Sequence, residues 1–257
     1  MTIACINDWN DVINNIYTKL RTSPLYQKVE EIRCCVHANN RDVLSHELFR
    51  DPKTHIIKWS GSSNNAFETQ TLDLLWEHSK TDEFYVLYLH SKGVSDRHQN
   101  EKSRRNIKAW TDYMLHYNVG YHEYILDNLQ EYDAIGTNQN GHSNIEYSRK
   151  YAGMSDYLTK NGWSDPDGVW PFHFSGNFWW SKSSYIRQIA KCDPCYPGAE
   201  IWVCNGDGGR VGKFLSMHNA NAHFYERFYD KSEYVDTGLD EKYERSNILQ
   251  EEGEADP

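Results

Sequence analysis

The stretch Tyr85-Val86-Leu87-Tyr88-Leu89-His90-Ser91-Lys92-Gly93 constrains the fold more than any other, because an apolar run ends abruptly in a histidine, a serine, a lysine and a glycine. A buried strand that delivers polar groups at its carboxyl end belongs to an open α/β sheet, whose ligands bind in the crevice outside those ends. Lysine at that end points to an anionic ligand.

The chain of 257 residues is long enough for one sizeable core, and alternating strand-like and helix-like patterns favour a single α/β domain. Its formal charge of -10, from 27 Lys+Arg against 37 Asp+Glu, argues against a general nucleic-acid binder, which needs a basic face to displace counterions. An anion must therefore be held by a few placed cations. Nine Trp, eighteen Tyr and nine Phe supply flat rings, many in polar contexts where a ring can stack on a sugar, although most are expected to be core packing. No stretch approaches the roughly 20 apolar residues that span a bilayer, and Met1-Thr2-Ile3-Ala4-Cys5 lacks the regions of a signal peptide, so a cytoplasmic protein is expected. The six cysteines and the absence of an Asn-x-Ser/Thr acceptor fit reduced thiols.

Periodicity predicts strands at Thr2–Ile6, Ile32–His37, Thr54–Trp59, up to His90, and at Asp133–Asn138. Helices are expected through Val12, Ile13, Ile16 and Leu20, from about Asn65 to Ser79, and across Glu101 to Gln130 with a break near Asn118 or Gly120. Gln139 to Trp170 is long for a connection and rich in Gly, Asn, Ser, Asp and Tyr, the composition of a functional lid or acceptor platform. A strand over Phe172–Trp180, a helix through Tyr185, Ile186 and Ile189, a short helix near Gly198 and a late strand Lys213–His218 complete a domain spanning 1–231, with an acidic arm or tail over 232–257.

No Gly-x-Gly-x-x-Gly and no Walker-type loop is present, which argues against a dinucleotide dehydrogenase or P-loop enzyme. A nucleotide-sugar transferase needs charge compensation for the departing diphosphate and a carboxylate near the acceptor hydroxyl.

Leu89-His90-Ser91-Lys92-Gly93, the Trp110 helix that follows, and Ser175-Gly176-Asn177-Phe178-Trp179-Trp180 resemble motifs of GT-A glycosyltransferases encoded by chloroviruses and other large viruses. They are similar, more distantly, to elements of bacterial rhamnan synthesis proteins. The resemblance covers roughly residues 1 to 230 in order of elements. It implies a GT-A-like domain with a mostly parallel central sheet flanked by helices. The implied activity transfers a hexose or deoxyhexose, rhamnose among them, from a UDP- or GDP-linked sugar to a glycan acceptor in the host cytoplasm. His90-Ser91-Lys92 stands where many such enzymes carry Asp-x-Asp, the motif that holds a divalent metal, Mn or Mg, against the diphosphate. With that departure Lys92 can neutralise phosphate directly, as a compact cation with three donors. His90, Ser91, Lys92, Gly93 and Glu68 form the expected donor side.

Glu200, in Pro197-Gly198-Ala199-Glu200-Ile201-Trp202, takes the place of the base carboxylate of inverting members, and a helix start beside a tryptophan is expected to desolvate it and raise its proton affinity. His218 matches a C-terminal histidine that completes a metal or diphosphate site, with Asp207 and His223 in reserve. On the acceptor side stand Asn138, Gly176 (close backbone approach), Asn177 (donor and acceptor) and Trp179 and Trp180, which point to opposite faces so that one is core and the other lines a sugar pocket. Cys192-Asp193-Pro194-Cys195 has zinc or redox spacing but no second pair to complete a site, and Cys34 and Cys35 read as packed thiols. A carbohydrate-binding module would use the same aromatics without transfer; a glycoside hydrolase is weaker, since no acidic pair marks the strand ends.

Overall fold

The computed structural model describes residues 1–61, 67–95, 100–140, 172–192, 198–204, 212–220 and 222–235. In chain order its first half holds β1 (Thr2–Ala4), α1 (Trp9–Arg21), α2 (Leu25–Lys28), β2 (Ile32–His37), β3 (Thr54–Ser60), α3 (Phe67–Ser79) and β4 (Tyr85–Tyr88). The second half holds α4 (Glu101–Gly120), α5 (His122–Asn128), β5 (Ala134–Gly136), β6 (Gln139–Asn140), β7 (His173–Phe174), β8 (Trp179–Lys182), α6 (Ser183–Ile186), α7 (Gly198–Ile201) and β9 (Phe214–Ser216).

The α/β expectation holds in its coarse form. One sheet is parallel, in the order β1-β2-β3, and a second is mixed, in the order β4-β8-β5-β9, with β8 antiparallel to both neighbours and β9 parallel to β5. A parallel bridge between Thr2 and His90 joins them, so β1 lies alongside the carboxyl end of β4. The Thr2 amide donates to the Leu89 carbonyl at 3.0 Å and the Ser91 amide to the Thr2 carbonyl at 3.0 Å. Chain order thus runs outward from β1 to β3, then returns to the other side of β1 at β4. That reversal is a topological switch point, and its crevice opens beyond the carboxyl ends of β1 and β4.

Alternation along the central strands sends neighbouring side chains into two cores. Leu89, Ile135, Phe178 and Trp180 pack with α1, α4 and α5 through Ile13, Ile16, Met114 and Ile125. Tyr88, Ala134 and Trp179 pack on the opposite side with Leu72, Tyr185 and Ile186 of α3 and α6. The helices are amphipathic accordingly: Ile13, Ile16, Tyr17 and Leu20 form the single buried stripe of α1. The expected break in the long helical region falls at Gly120–Tyr121, between α4 and α5.

Two expectations change. The strand predicted over Phe172–Trp180 is divided into β7 and β8 by a corner at Ser175-Gly176-Asn177, where Gly176 (φ 93) and Asn177 (φ 58) adopt left-handed backbone. The packed body also continues past Ser232: Tyr234 is buried and its carbonyl accepts the Tyr117 hydroxyl at 2.9 Å. Residues 236–257 of the expected arm, most of the expected acceptor platform, Asp207 and Cys195 lie outside the described residues. Cys34 and Cys35 are free and fully buried, and burial pushes the Cys34 thiol up to about 11, which fits inert packing. No described helix is long and apolar enough to cross a membrane.

A Cβ at Gly176 would collide with Met114 Sδ and approach Trp110 Cε2 to 3.0 Å, on a backbone that already disfavours L side chains. Gly176→Ala is expected to lower unfolding free energy by about 1–3 kcal/mol or more. Urea denaturation checks this; an unchanged midpoint would show that the corner does not need glycine.

Candidate functional site

The segment after β4 is held rigidly before it reaches the crevice. Ser91 Oγ accepts the Ala4 amide at 2.9 Å, and Gly93 turns the chain at φ 83, where a Cβ would lie 2.5 Å from Ile107 Cγ2 of α4. Both were expected to touch the donor. Ser91, 6% exposed and satisfying a strand amide, and Gly93, packed under α4, serve the seam and the turn instead.

His90 is buried, with Nε2 3.0 Å from the Gly176 carbonyl, so that nitrogen carries the proton and donates. Its Nδ1 faces Glu68 Oε1 at 3.5 Å. Burial lowers its pKa, aided by Lys92 and opposed by Glu68, the Gly176 carbonyl and Glu200, leaving a neutral imidazole at neutral pH. Glu68, in the first turn of α3, accepts Asn177 Nδ2 at 2.6 Å and the Tyr88 hydroxyl at 3.1 Å through Oε2.

Asn177 joins this network to the core. Its Nδ2 also reaches the Ala199 carbonyl at 3.2 Å, and its Oδ1 accepts the Trp179 indole N–H at 2.7 Å. With its amide committed and only 2% of its surface exposed, Asn177 positions other groups. The same holds for Gly176, whose missing Cβ admits Met114 and Trp110, not a ligand. Trp179 and Trp180 do point to opposite faces, but both are core, at 0% and 4% exposure, so neither ring is free to stack on a sugar.

Glu200, half-buried in the short helix α7, accepts the Gly176 amide at 3.1 Å. Burial pushes its proton affinity up as expected from its surroundings, but Lys92, His173, the Gly176 amide and His90 outweigh burial, and the net pKa lies below the ordinary value. The expected raised affinity is therefore reversed by Lys92 first of all, and by further groups that sequence distance conceals. Lys92 is 8% exposed, with Nζ 4.2 Å from the Trp110 ring centre and 5.6 Å from that of Tyr225. Burial opposes its charge, yet Tyr225, Glu200 and Glu68 hold its pKa above the ordinary lysine value.

Glu68, His90, Lys92, Asn177 and Glu200 thus converge from α3, the β4 end, the β7–β8 corner and α7. Asn138 and His218 stand apart, around Tyr113 at the ends of β5 and β9. The Tyr113 hydroxyl lies 3.2 Å from Asn138 Oδ1 and 3.0 Å from His218 Nδ1, and the His218 ring stacks on Tyr117 at 5.3 Å. Asn138 is 2% exposed and its Oδ1 also accepts the Ala220 amide at 2.7 Å, which places it in the packing around Tyr113. His218 pairs through Nδ1 with the Tyr113 phenol among aromatic rings, and among the described residues no group of three or more His, Cys, Asp or Glu side chains is placed to hold a metal ion.

Sequence reasoning missed Tyr225, which reaches Lys92 from 133 residues' remove, and Asn7. Asn7 follows β1 with φ 50 and donates to the Val94 carbonyl at 2.8 Å, closing the other wall of the switch point. An Asn-Asp pair just past a strand was the available signal. The chain matches no protein family, no curated protein and no solved structure.

His46, His90, His122 and His218 all have pKa values lowered from 6.5, with burial the leading cause. The unfolded chain therefore takes up protons first on acidification, and stability held above about pH 6.5 is lost as pH falls. The depressed carboxylates Asp51, Asp112 and Glu200 act only below their ordinary values of 3.8 to 4.5. The melting temperature is expected to fall between about pH 7.5 and 5.5, less steeply in His90→Gln. A flat profile across that range would contradict the neutral, desolvated state of these rings.

Proposed function

We propose that this chain is a glycosyltransferase of GT-A-like fold that moves a hexose or deoxyhexose, rhamnose among them, from a nucleoside-diphosphate sugar to a glycan acceptor. The observation that carries the reading is the convergence of Lys92, Glu200, His90 and Glu68 beside the β1–β4 switch point. Open α/β sheets bind nucleotides at such points, and the order β3-β2-β1-β4, with β4 joined to β1 through the Thr2–His90 bridge, follows the doubly wound order across its switch point, which supports the reading. The resemblance to viral GT-A enzymes, carried by His90-Ser91-Lys92-Gly93 and Gly176-Asn177, supports the donor class and a host-cytoplasmic setting.

In this scheme the Lys92 ammonium receives the diphosphate and Glu200 takes the proton of the acceptor hydroxyl. The bond from the anomeric carbon to the diphosphate oxygen breaks, its electron pair leaving with the diphosphate, as the acceptor oxygen bonds the same carbon. Lys92 is the foremost charge holding the Glu200 pKa down. A bound diphosphate offsets that charge, so Glu200 becomes a stronger base once the donor is in place. The family resemblance brings Mn or Mg with it, and Lys92 supplies charge neutralisation from the chain itself.

One observation favours a second reading, a carbohydrate-binding module without transfer. Glu68 and Glu200 outnumber Lys92 while His90 is neutral, and such a balance suits neutral sugar hydroxyls. A thermal-shift panel of UDP, GDP and their sugars, with and without manganese, separates the two, because a bound donor raises the melting temperature by mass action. Stabilisation by a nucleoside diphosphate is expected; stabilisation by free glycans alone would give the binding module. In Glu200→Gln that shift is expected to persist while transfer of radiolabelled sugar falls by about 10²-fold or more. Undiminished transfer would move the base elsewhere.

A further inference from the structure

Resting on the donor-site reading, we propose that Tyr225 is the removable cap of an anion subsite centred on Lys92, occupying the ammonium until a phosphate group displaces it. Buried cations are costly unless paired, and a lysine among carboxylates normally meets one directly. Among the described residues no carboxylate forms an ion pair with this ammonium, which lies instead against two rings, 4.2 Å from the centre of Trp110 and 5.6 Å from that of Tyr225. Glu200 and Glu68 act on it as nearby charges. A cation held over rings, with no carboxylate paired to it directly, gains from contact with an anion.

Tyr225 is placed to be that one. Its neighbours are fixed to α4: Phe224 is buried and stacks on Trp110 at 4.8 Å and 6°, Arg105 lies over Phe228 at 4.3 Å, and Asn106 Nδ2 donates to the Tyr225 carbonyl at 3.1 Å. Tyr225 itself is 41% exposed, and its ring meets Trp110 edge-on, at 5.1 Å and 87°. The backbone stays pinned while the side chain swings out, uncovering a lysine that is otherwise 8% exposed. Trp110 remains as the floor.

The test uses the full chain and inorganic pyrophosphate. Tyr225→Phe removes the competing hydroxyl and is expected to tighten pyrophosphate binding about threefold to tenfold by calorimetry, the scale of one hydrogen bond; Lys92→Met is expected to abolish that binding. Independently, acetic anhydride labelling of Lys92, read by peptide mass spectrometry, is expected to run several-fold faster in Tyr225→Ala than in the unaltered chain, and to slow when pyrophosphate is added. Melting temperature controls for folding, since an exposed side chain is altered. If Lys92-dependent pyrophosphate binding persists but neither Tyr225 variant changes affinity or labelling, the cap is overturned and the donor site stands. If pyrophosphate binds no better than to Lys92→Met while labelling rises in Tyr225→Ala, Tyr225 shields Lys92 but the anion subsite fails, and the donor reading fails with it.

Discussion

The seam between β1 and β4 is the interaction on which the rest depends. Two backbone hydrogen bonds through Thr2 and one from Ala4 to the Ser91 hydroxyl join a parallel sheet to a mixed one. Without that contact the strands on either side would be separate sheets, each with an exposed edge at the point where the crevice now opens. The serine matters because the β4 extension turns away from β1 after Thr2, leaving the Ala4 amide without a backbone acceptor. A side-chain oxygen fills the place, and the turn it permits carries His90 and Lys92 into the crevice instead of along the sheet.

A second constraint is the corner between β7 and β8. One amide, that of Asn177, satisfies the Trp179 indole, the Glu68 carboxylate and the Ala199 carbonyl, so the core, α3 and the helix bearing Glu200 share a single fixed point. Its left-handed backbone directs the side chain there, and Gly176 before it, also left-handed, lets Met114 and Trp110 close in beneath. The buried tryptophans expected to meet a ligand instead anchor the residues around it. Rigidity of this kind is what a site needs if its charged groups are to keep their geometry without water to screen them.

What the sequence makes legible follows from what is local. The polar end of β4, the α/β alternation, the stripe of α1 and the helix break at Gly120 all rest on patterns within a dozen residues. The pairing of Glu68 with Asn177, 109 residues apart, has no local trace. Nor did the Phe172–Trp180 run reveal its corner by periodicity, because aromatic residues on both sides fit a strand; the Gly-Asn pair inside it was the turn signal. Glu200 is the clearest case. Its desolvation was readable from its neighbours in sequence, but the sign of its shift depends on Lys92 and His173, brought in by tertiary structure.

The electrostatics of the cluster then impose an order. Two carboxylates and one ammonium in a largely buried setting are balanced only in part, and the imidazole stays neutral because adding a proton there would have to overcome burial and the Lys92 charge together. An arriving dianion without its own countercharge meets Lys92 favourably and Glu68 and Glu200 unfavourably. Coulomb energy falls with distance, so the outcome depends on how directly the anion touches the ammonium. Direct contact is what Tyr225 withholds while it lies against Lys92. Moving one exposed phenol therefore changes which charge dominates the crevice, and with it the proton affinity of Glu200, without any strand or helix having to shift.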